Sequence, residues 1–200
     1  MRAKKHLLLT SVVLLMSLAA SAQAGPLEDA SAAYQRRDFS EAAKWYRAAA
    51  DHGDAEAQFR LGILYYFGQG VPQDNGEAVK WYRRAAEQGV ALAQGSLGAM
   101  YGSGRGVPQN YGEAVKWYRR AAEQGVAEAQ IRLGFMYYEG KGVPPDYVEA
   151  HKWLNLAATN GLSDAAKGRD TIENVMTPEQ IAEAQNRARE WKPRTVAPKP

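Results

Sequence analysis

The 200-residue chain contains no cysteine. Disulfides, thiol nucleophiles, cysteine metal ligands and lipid attachment through a lipobox cysteine are all excluded, so packing alone must hold the fold. Histidine is almost as scarce, with three in all. His6 lies near the start, while His52 and His151 sit far apart in helical stretches, neither in an H-E-x-x-H or comparable metal pattern. His151 stands where matching segments carry Val79 and Val115, which predicts a partly exposed substitution rather than a ligand. The nucleophile signatures Ser-x-x-Lys and Gly-x-Ser-x-Gly are missing as well. No catalytic residue, metal site or cofactor site is predicted, and the sequence reads as that of a non-enzyme.

An excess of one charge is also lacking once the first 24 residues are set aside. Those residues hold three of the 25 Lys and Arg and none of the 22 Asp and Glu, so the remainder is balanced. A basic footprint for nucleic acid is thereby excluded. No apolar run reaches the ~20 residues that a membrane span needs. The run from Leu7 to Leu18 follows Arg2, Lys4, Lys5 and His6 and precedes Ala22-Gln23-Ala24, a small-x-small cleavage pattern. Residues 1–24 therefore read as a signal peptide cut before Gly25. That predicts an exported protein, periplasmic or secreted, without stable membrane insertion.

What the chain has in abundance is repetition. Trp45, Trp81, Trp117 and Trp153 recur every 36 residues, and the stretch Gly76–Ala91 reappears letter for letter at Gly112–Ala127. A fixed period of this size is the mark of stacked units that bury their apolar faces against one another. In the unit 54–89, Ala55, Ala57, Leu61, Leu64 and Tyr65 form an apolar stripe at helical spacing. Gly62 interrupts it at a cost of about 1 kcal/mol relative to alanine, as Gly98 and Gly134 do in their units. Close approach of a neighbouring helix is the expected return. Gly-x-Gly-Val-Pro, at Gly68–Pro72, Gly104–Pro108 and Gly140–Pro144, ends each first helix, with the valine plugging the space between helices. These loops resemble phosphate cradles only superficially, since no strand precedes them. Asp74 with Glu77, Asn110 with Glu113 and Asp146 with Glu149 then have the spacing of capping boxes. The second helix carries Ala78, Trp81, Tyr82, Ala85 and Ala86, with Trp and Tyr as core. Its exposed side is expected to pair Glu77 with Lys80 and Arg83 with Glu87.

The predicted organisation is a signal peptide at 1–24, an N-terminal cap at 25–53, repeats at 54–89, 90–125 and 126–161, capping helices at 162–191 and a disordered tail at 192–200. In the N-terminal cap, Asp38 with Glu41 repeats the capping spacing and Trp45-Tyr46 the core pair. Thr177 and Pro178 open the last helix, which runs towards Trp191.

The pattern Ala-x-Ala-Gln-x-x-Leu-Gly-x-x-Tyr, Gly-x-Gly-Val-Pro, Glu-Ala-x-Lys-Trp, Ala-Ala-x-x-Gly resembles the Sel-1-like repeat family, a relative of the tetratricopeptide repeats. Three units carry it in phase, and residues 27–53 look closer to a plain tetratricopeptide repeat. The resemblance implies an all-α, right-handed α-solenoid of antiparallel helix pairs that acts as an adaptor for other proteins, in bacteria commonly exported. Some relatives are cysteine-rich and linked to β-lactam binding, and the lack of cysteine argues against carrying that activity over.

Positions that vary between units stand out against this repeated scaffold. By analogy with tetratricopeptide repeats they face a concave groove: Phe59, Ile63, Tyr66 and Phe67 in the first unit, Ala99 and Ser103 in the second, Ile131, Phe135 and Tyr138 in the third. Leu92, Gly95 and Gly102 vary with them, as do Glu56, Glu128 and Glu139. The series runs bulky, small, bulky, a shallow middle between aromatic walls that suits a peptide or a partner helix. Ile63 and Phe135 can equally be packing groups, whereas Tyr66, Phe67 and Tyr138 are expected to be exposed. Arg60 and Arg132 stand at its edge.

The leading functional reading is a monomeric, non-enzymatic adaptor that binds a protein or peptide partner in the bacterial periplasm. An envelope structural or peptidoglycan-binding protein is the alternative, with exposed aromatics stacking on sugars. A β-lactamase-like hydrolase stands a distant third.

Overall fold

The computed structural model describes residues 25–195, and both the signal peptide reading of 1–24 and the last five residues of the tail lie outside them. Ten helices are found among the described residues: α1 (Pro26–Gln35), α2 (Phe39–Asp51), α3 (Ala55–Phe67), α4 (Asn75–Glu87), α5 (Ala91–Ser103), α6 (Tyr111–Glu123), α7 (Ala127–Glu139), α8 (Tyr147–Ala158), α9 (Ser163–Glu173) and α10 (Pro178–Glu190). They stack as successive pairs. Each first helix (α3, α5, α7) packs on the second helix of its own unit and on that of the unit before, while the first helices hardly touch one another. That separation leaves open space along one face of the stack.

The close approach expected at the mid-helix glycines is present. A Cβ on Gly62 would lie 2.7 Å from the ring of Tyr82, one on Gly98 2.9 Å from that of Tyr118, and one on Gly134 2.8 Å from Leu154. Gly68, Gly104 and Gly140 end their helices in the left-handed region, at φ of 67°, 73° and 67°. The second glycine of each loop is tighter still. A Cβ on Gly106 would sit 2.2 Å from the Asn75 carbonyl oxygen, because each loop rests on the start of the preceding unit's second helix. Val71, Val107 and Val143 pack against the core beneath.

Asp74, Asn110 and Asp146 accept hydrogen bonds from the backbone N–H three residues on, at 2.9–3.0 Å. The glutamates do not reciprocate as a capping box would require. Glu77, Glu113 and Glu149 instead accept from Lys80, Lys116 and Lys152, each at 2.6 Å. Only Thr177 with Gln180, at the start of α10, closes the full box among the described residues. Arg83 likewise departs from expectation. It donates to Tyr101 Oη at 2.6 Å across the boundary between units, and Arg119 does the same to Tyr137 at 2.5 Å. Pairing with Glu87 would be a surface contact of a few tenths of a kcal/mol, whereas a hydrogen bond to a half-buried phenol ties two units together.

A glutamine ladder ties them again. Gln58, Gln94 and Gln130, all buried, donate to carbonyl oxygens of Ala50, Ala86 and Ala122 in the preceding unit. Gln88 and Gln124 in turn donate to the Gln58 and Gln94 Oε1 atoms at 2.8 Å. The third unit has Asn160 at that place, bonded to Leu156 O, and Gln130 Oε1 is left without a partner.

The ends break the pattern for a physical reason. Trp81, Trp117 and Trp153 are buried, but Trp45 is 37% exposed, which corrects its assignment as core. Trp81 belongs to the cluster of the preceding unit, and among the described residues no unit precedes α1 and α2 on which Trp45 could lie. At the other end, α10 packs chiefly on α8 rather than on α9. Leu156 is buried there, where Arg84 and Arg120 lie over Trp81 and Trp117, and Trp191 meets Trp153 edge-on at 6.3 Å. After α10, Arg194 N donates to the Glu123 backbone carbonyl at 2.7 Å and its guanidinium pairs with the Glu123 carboxylate.

Candidate functional site

Along the open face formed by α3, α5 and α7 lies a cavity of about 1020 Å³. Its centre is α5, where Gly95, Ser96, Ala99, Gly102 and Ser103 are small and the exposed Leu92 stands at the helix start. Tyr82 and Tyr118, reaching through from the second helices, close the floor on either side. Burial pushes both phenols upward, that of Tyr118 to about 12, so both stay protonated.

Seven of the nine residues assigned to a groove from sequence line this cavity: Phe59, Ile63, Tyr66, Phe67, Ala99, Ser103 and Phe135. They differ in what they offer. Phe67 is 63% exposed and meets Tyr66 edge-on at 4.9 Å, forming a free aromatic lip. Phe59 is 6% exposed, held against Tyr82 at 5.8 Å, so it is wall rather than contact surface. Phe135 is half-buried, its ring end so close to α9 that a Cβ on Gly168 would lie 2.8 Å away.

Two assignments are corrected. Ile131 is buried in a cluster with Ala165 and Ile172 of α9 and lies outside the cavity. The matching Phe59 is buried as well, so this position of the first helix belongs to the core. Tyr138, expected to be exposed, is half-buried against Tyr147 at 5.8 Å and also lies outside the cavity. Helix α8 begins with Tyr147 where α4 begins with Asn75, so Tyr138 packs on that ring, whereas Tyr66, also expected to be exposed and also half-buried, packs on Phe67.

Charge at the site sits in pairs, with one exception. Arg132 pairs with Glu128 at 2.9 Å and Lys141 with Glu139 at 2.8 Å, and the latter contact holds the Lys141 ammonium above its ordinary value. Arg105 lines the cavity without a carboxylate partner among the described residues; its Nη1 donates to Tyr66 Oη at 2.7 Å. Arg105 and Tyr111 are cavity residues that sequence reasoning missed. The middle position of Gly-x-Gly varies as Gln69, Arg105 and Lys141, a signal that lies in the loop and not on the helices. Arg60 lies elsewhere, paired with Glu56 at 2.6 Å beside a smaller pocket of about 240 Å³ at α1.

His151 was also misjudged. It is fully buried, with Nε2 2.7 Å from Glu173 Oε1 of α9, so it is an internal tie between unit and cap. No cluster of three or more side chains able to hold a metal ion, and no helix long and apolar enough to cross a membrane, occurs among the described residues.

Stacked helix pairs with a short repeat, ordered end caps and one open face define a tandem-repeat interaction scaffold. The Sel1 repeat profile matches residues 31–54, 55–90, 91–126 and 127–162, and the chain belongs to the Sel1 repeat family. No curated protein matches significantly. Among solved structures, a protective antigen of uropathogenic Escherichia coli with an SLR fold aligns at TM-score 0.70 and 38% identity over 76% of this chain. This chain spans about a third of that antigen's length, with 32% of it covered. A Sel1 repeat protein from Oxalobacter formigenes aligns at TM-score 0.59 and 42% identity, covering 63% of this chain and 95% of that one. Sel1 repeats generally mediate protein–protein interaction, and their fold is typically a non-catalytic scaffold.

Proposed function

We propose that this protein is an exported, non-enzymatic adaptor of the bacterial envelope that holds a protein partner in the cavity along α3, α5 and α7. One observation carries the reading. The two units that share an identical stretch, Gly76–Ala91 and Gly112–Ala127, differ most where their first helices line the cavity, so the scaffold is constant and the cavity is individual. Export rests on the basic, then apolar, then small-residue order of the first 24 residues.

The test is site-specific crosslinking in living cells. A photoreactive residue at Phe67, on the aromatic lip, is expected to give a defined protein adduct in the periplasmic fraction. The same residue at Arg84, on a second helix, is expected to give none. Adducts with sacculi in place of protein would instead support a glycan-binding envelope role. Adducts from Arg84 alone would move the binding surface to the second helices.

A further inference from the structure

The cavity has a direction as well as a shape. Along α5 the small residues Gly95, Ala99 and Gly102 fall at i, i+4 and i+7, one face of one helix, with Leu92 at its start. The flanking helices α3 and α7 carry bulk at the matching positions, Ile63 and Phe135 beside Ala99. The floor of glycine and alanine between those bulky positions lets an incoming helix approach α5 closely.

A strand fits less well. An extended peptide needs partners for its exposed backbone groups, and a helix satisfies its own. The floor of the trench offers few: the Ser103 hydroxyl already donates to Ala99 O at 2.8 Å, Ser96 is the other hydroxyl, and the backbone of α5 is bonded within the helix. The Arg105 guanidinium is the marked polar feature. It stands at the mouth where α3, α5 and α7 all end, with Lys141 beside the same mouth, while Glu128 lies at the opposite end. The cavity is lined by three cations, Arg105, Arg132 and Lys141, against two carboxylates, Glu128 and Glu139, and Arg105 is the cation left over. Acidic side chains are favoured in the first turn of a helix. An incoming helix that starts at this mouth brings such a carboxylate to Arg105 and runs antiparallel to α5.

We propose that the trench seats an amphipathic helix of a protein partner, antiparallel to α5, with its apolar face on Gly95, Ala99 and Gly102 and a first-turn Asp or Glu on Arg105. This rests on the adaptor reading above and specifies its partner.

The test is selection of displayed random segments of about 18 residues, five helical turns, on the full chain purified from cells. Winners are measured by fluorescence anisotropy on the wild type, Ala99→Trp, Ser103→Trp and Arg105→Glu, each with its melting curve. The expected winners have apolar residues at i, i+3 or i+4 and i+7 and an acid in the first turn. They weaken at least about tenfold on either tryptophan variant and on Arg105→Glu. Exchanging their first-turn acid for Lys should restore binding to Arg105→Glu. Proline-rich or aperiodic winners that Ala99→Trp still blocks overturn the helix and leave the cavity as the binding site. Winners indifferent to both tryptophan variants, or no winners, overturn the helix and count against the cavity as well. A dimer in sedimentation that Ala99→Trp dissociates would make a second copy the occupant and overturn the proposal.

Discussion

His151 Nε2 stands 2.7 Å from Glu173 Oε1 in the seam between α8 and α9, and its other ring nitrogen has no partner. The other units fill this position with Val79 and Val115, so the histidine was introduced where the repeat gives way to its cap. Glu173 keeps 34% of its side chain exposed and retains water when the histidine is lost. The histidine has no such recourse when the glutamate is lost.

His151→Val is therefore expected to lower stability by only about 1 kcal/mol, and Glu173→Ala, which orphans a fully buried ring, by about 1–3 kcal/mol. The double variant should be no worse than Glu173→Ala alone. A double-mutant cycle by urea unfolding checks the order, and equal losses for the two single variants would refute it.

Trp117→Ala should cost about 3–5 kcal/mol through a core cavity, and Trp45→Ala clearly less, since Trp45 is already partly in water. The two residues occupy the same place in the repeat and differ in burial. Melting of the two variants under one set of conditions decides the matter.

Gly98→Ala gains helix propensity of about 1 kcal/mol, but its Cβ would meet Tyr118 at 2.9 Å, so a net loss of about 1–2 kcal/mol is expected. Gly106→Ala should be worse. Its Cβ would lie 2.2 Å from a backbone oxygen, and its φ of 69° already disfavours alanine. Backbone cannot rotate aside as a ring can.

Acid should loosen the C-terminal cap first. Burial pushes the Glu149 carboxyl up, but the hydrogen bonds and charges of Lys152 and Arg187 outweigh it and hold the group below its ordinary 4.5. A depressed carboxyl contributes stability that is present above its unfolded value and is lost as pH falls through the folded one. Since Arg187 lies on α10, the linked event is release of α10 from α8 below about pH 4.5. Fluorescence of the wild type compared with Trp191→Phe should report it, and Glu149→Gln should lose the low-pH step.

In the cavity, Phe67→Ser is expected to leave melting unchanged, because the ring is mostly in water. Tyr138→Ala should lower stability by about 1 kcal/mol through loss of its Tyr147 contact and leave partner binding intact. Partner capture and melting measured on the same preparations separate the two.

Much of this molecule was legible before any coordinates. The 36-residue period, the terminating glycines, the asparagine and aspartate caps and the atypical last helices are local signals, and each unit states them again. Repetition also showed where to look for function, since a position that changes while its neighbours do not is released from the scaffold. Seven of the nine residues chosen on that basis line one cavity. The misplaced residues differ in cause. Trp45 stands where Trp81, Trp117 and Trp153 are buried, but no unit precedes α1 and α2 among the described residues to cover it. Ile131 and His151 are buried as Phe59, Val79 and Val115 are at the matching positions, and burial is a matter of packing that variation between units does not report. Tyr138 is covered by Tyr147 of its own unit. The sequence by itself determined a stack of helix pairs, their turns and the line of varied positions along it, because helix periodicity and capping act within a few residues. Only the tertiary structure decided that Arg105 reaches Tyr66 over the trench, that α10 folds onto α8 and that His151 is sealed against Glu173, because each joins residues whose contact no local pattern encodes.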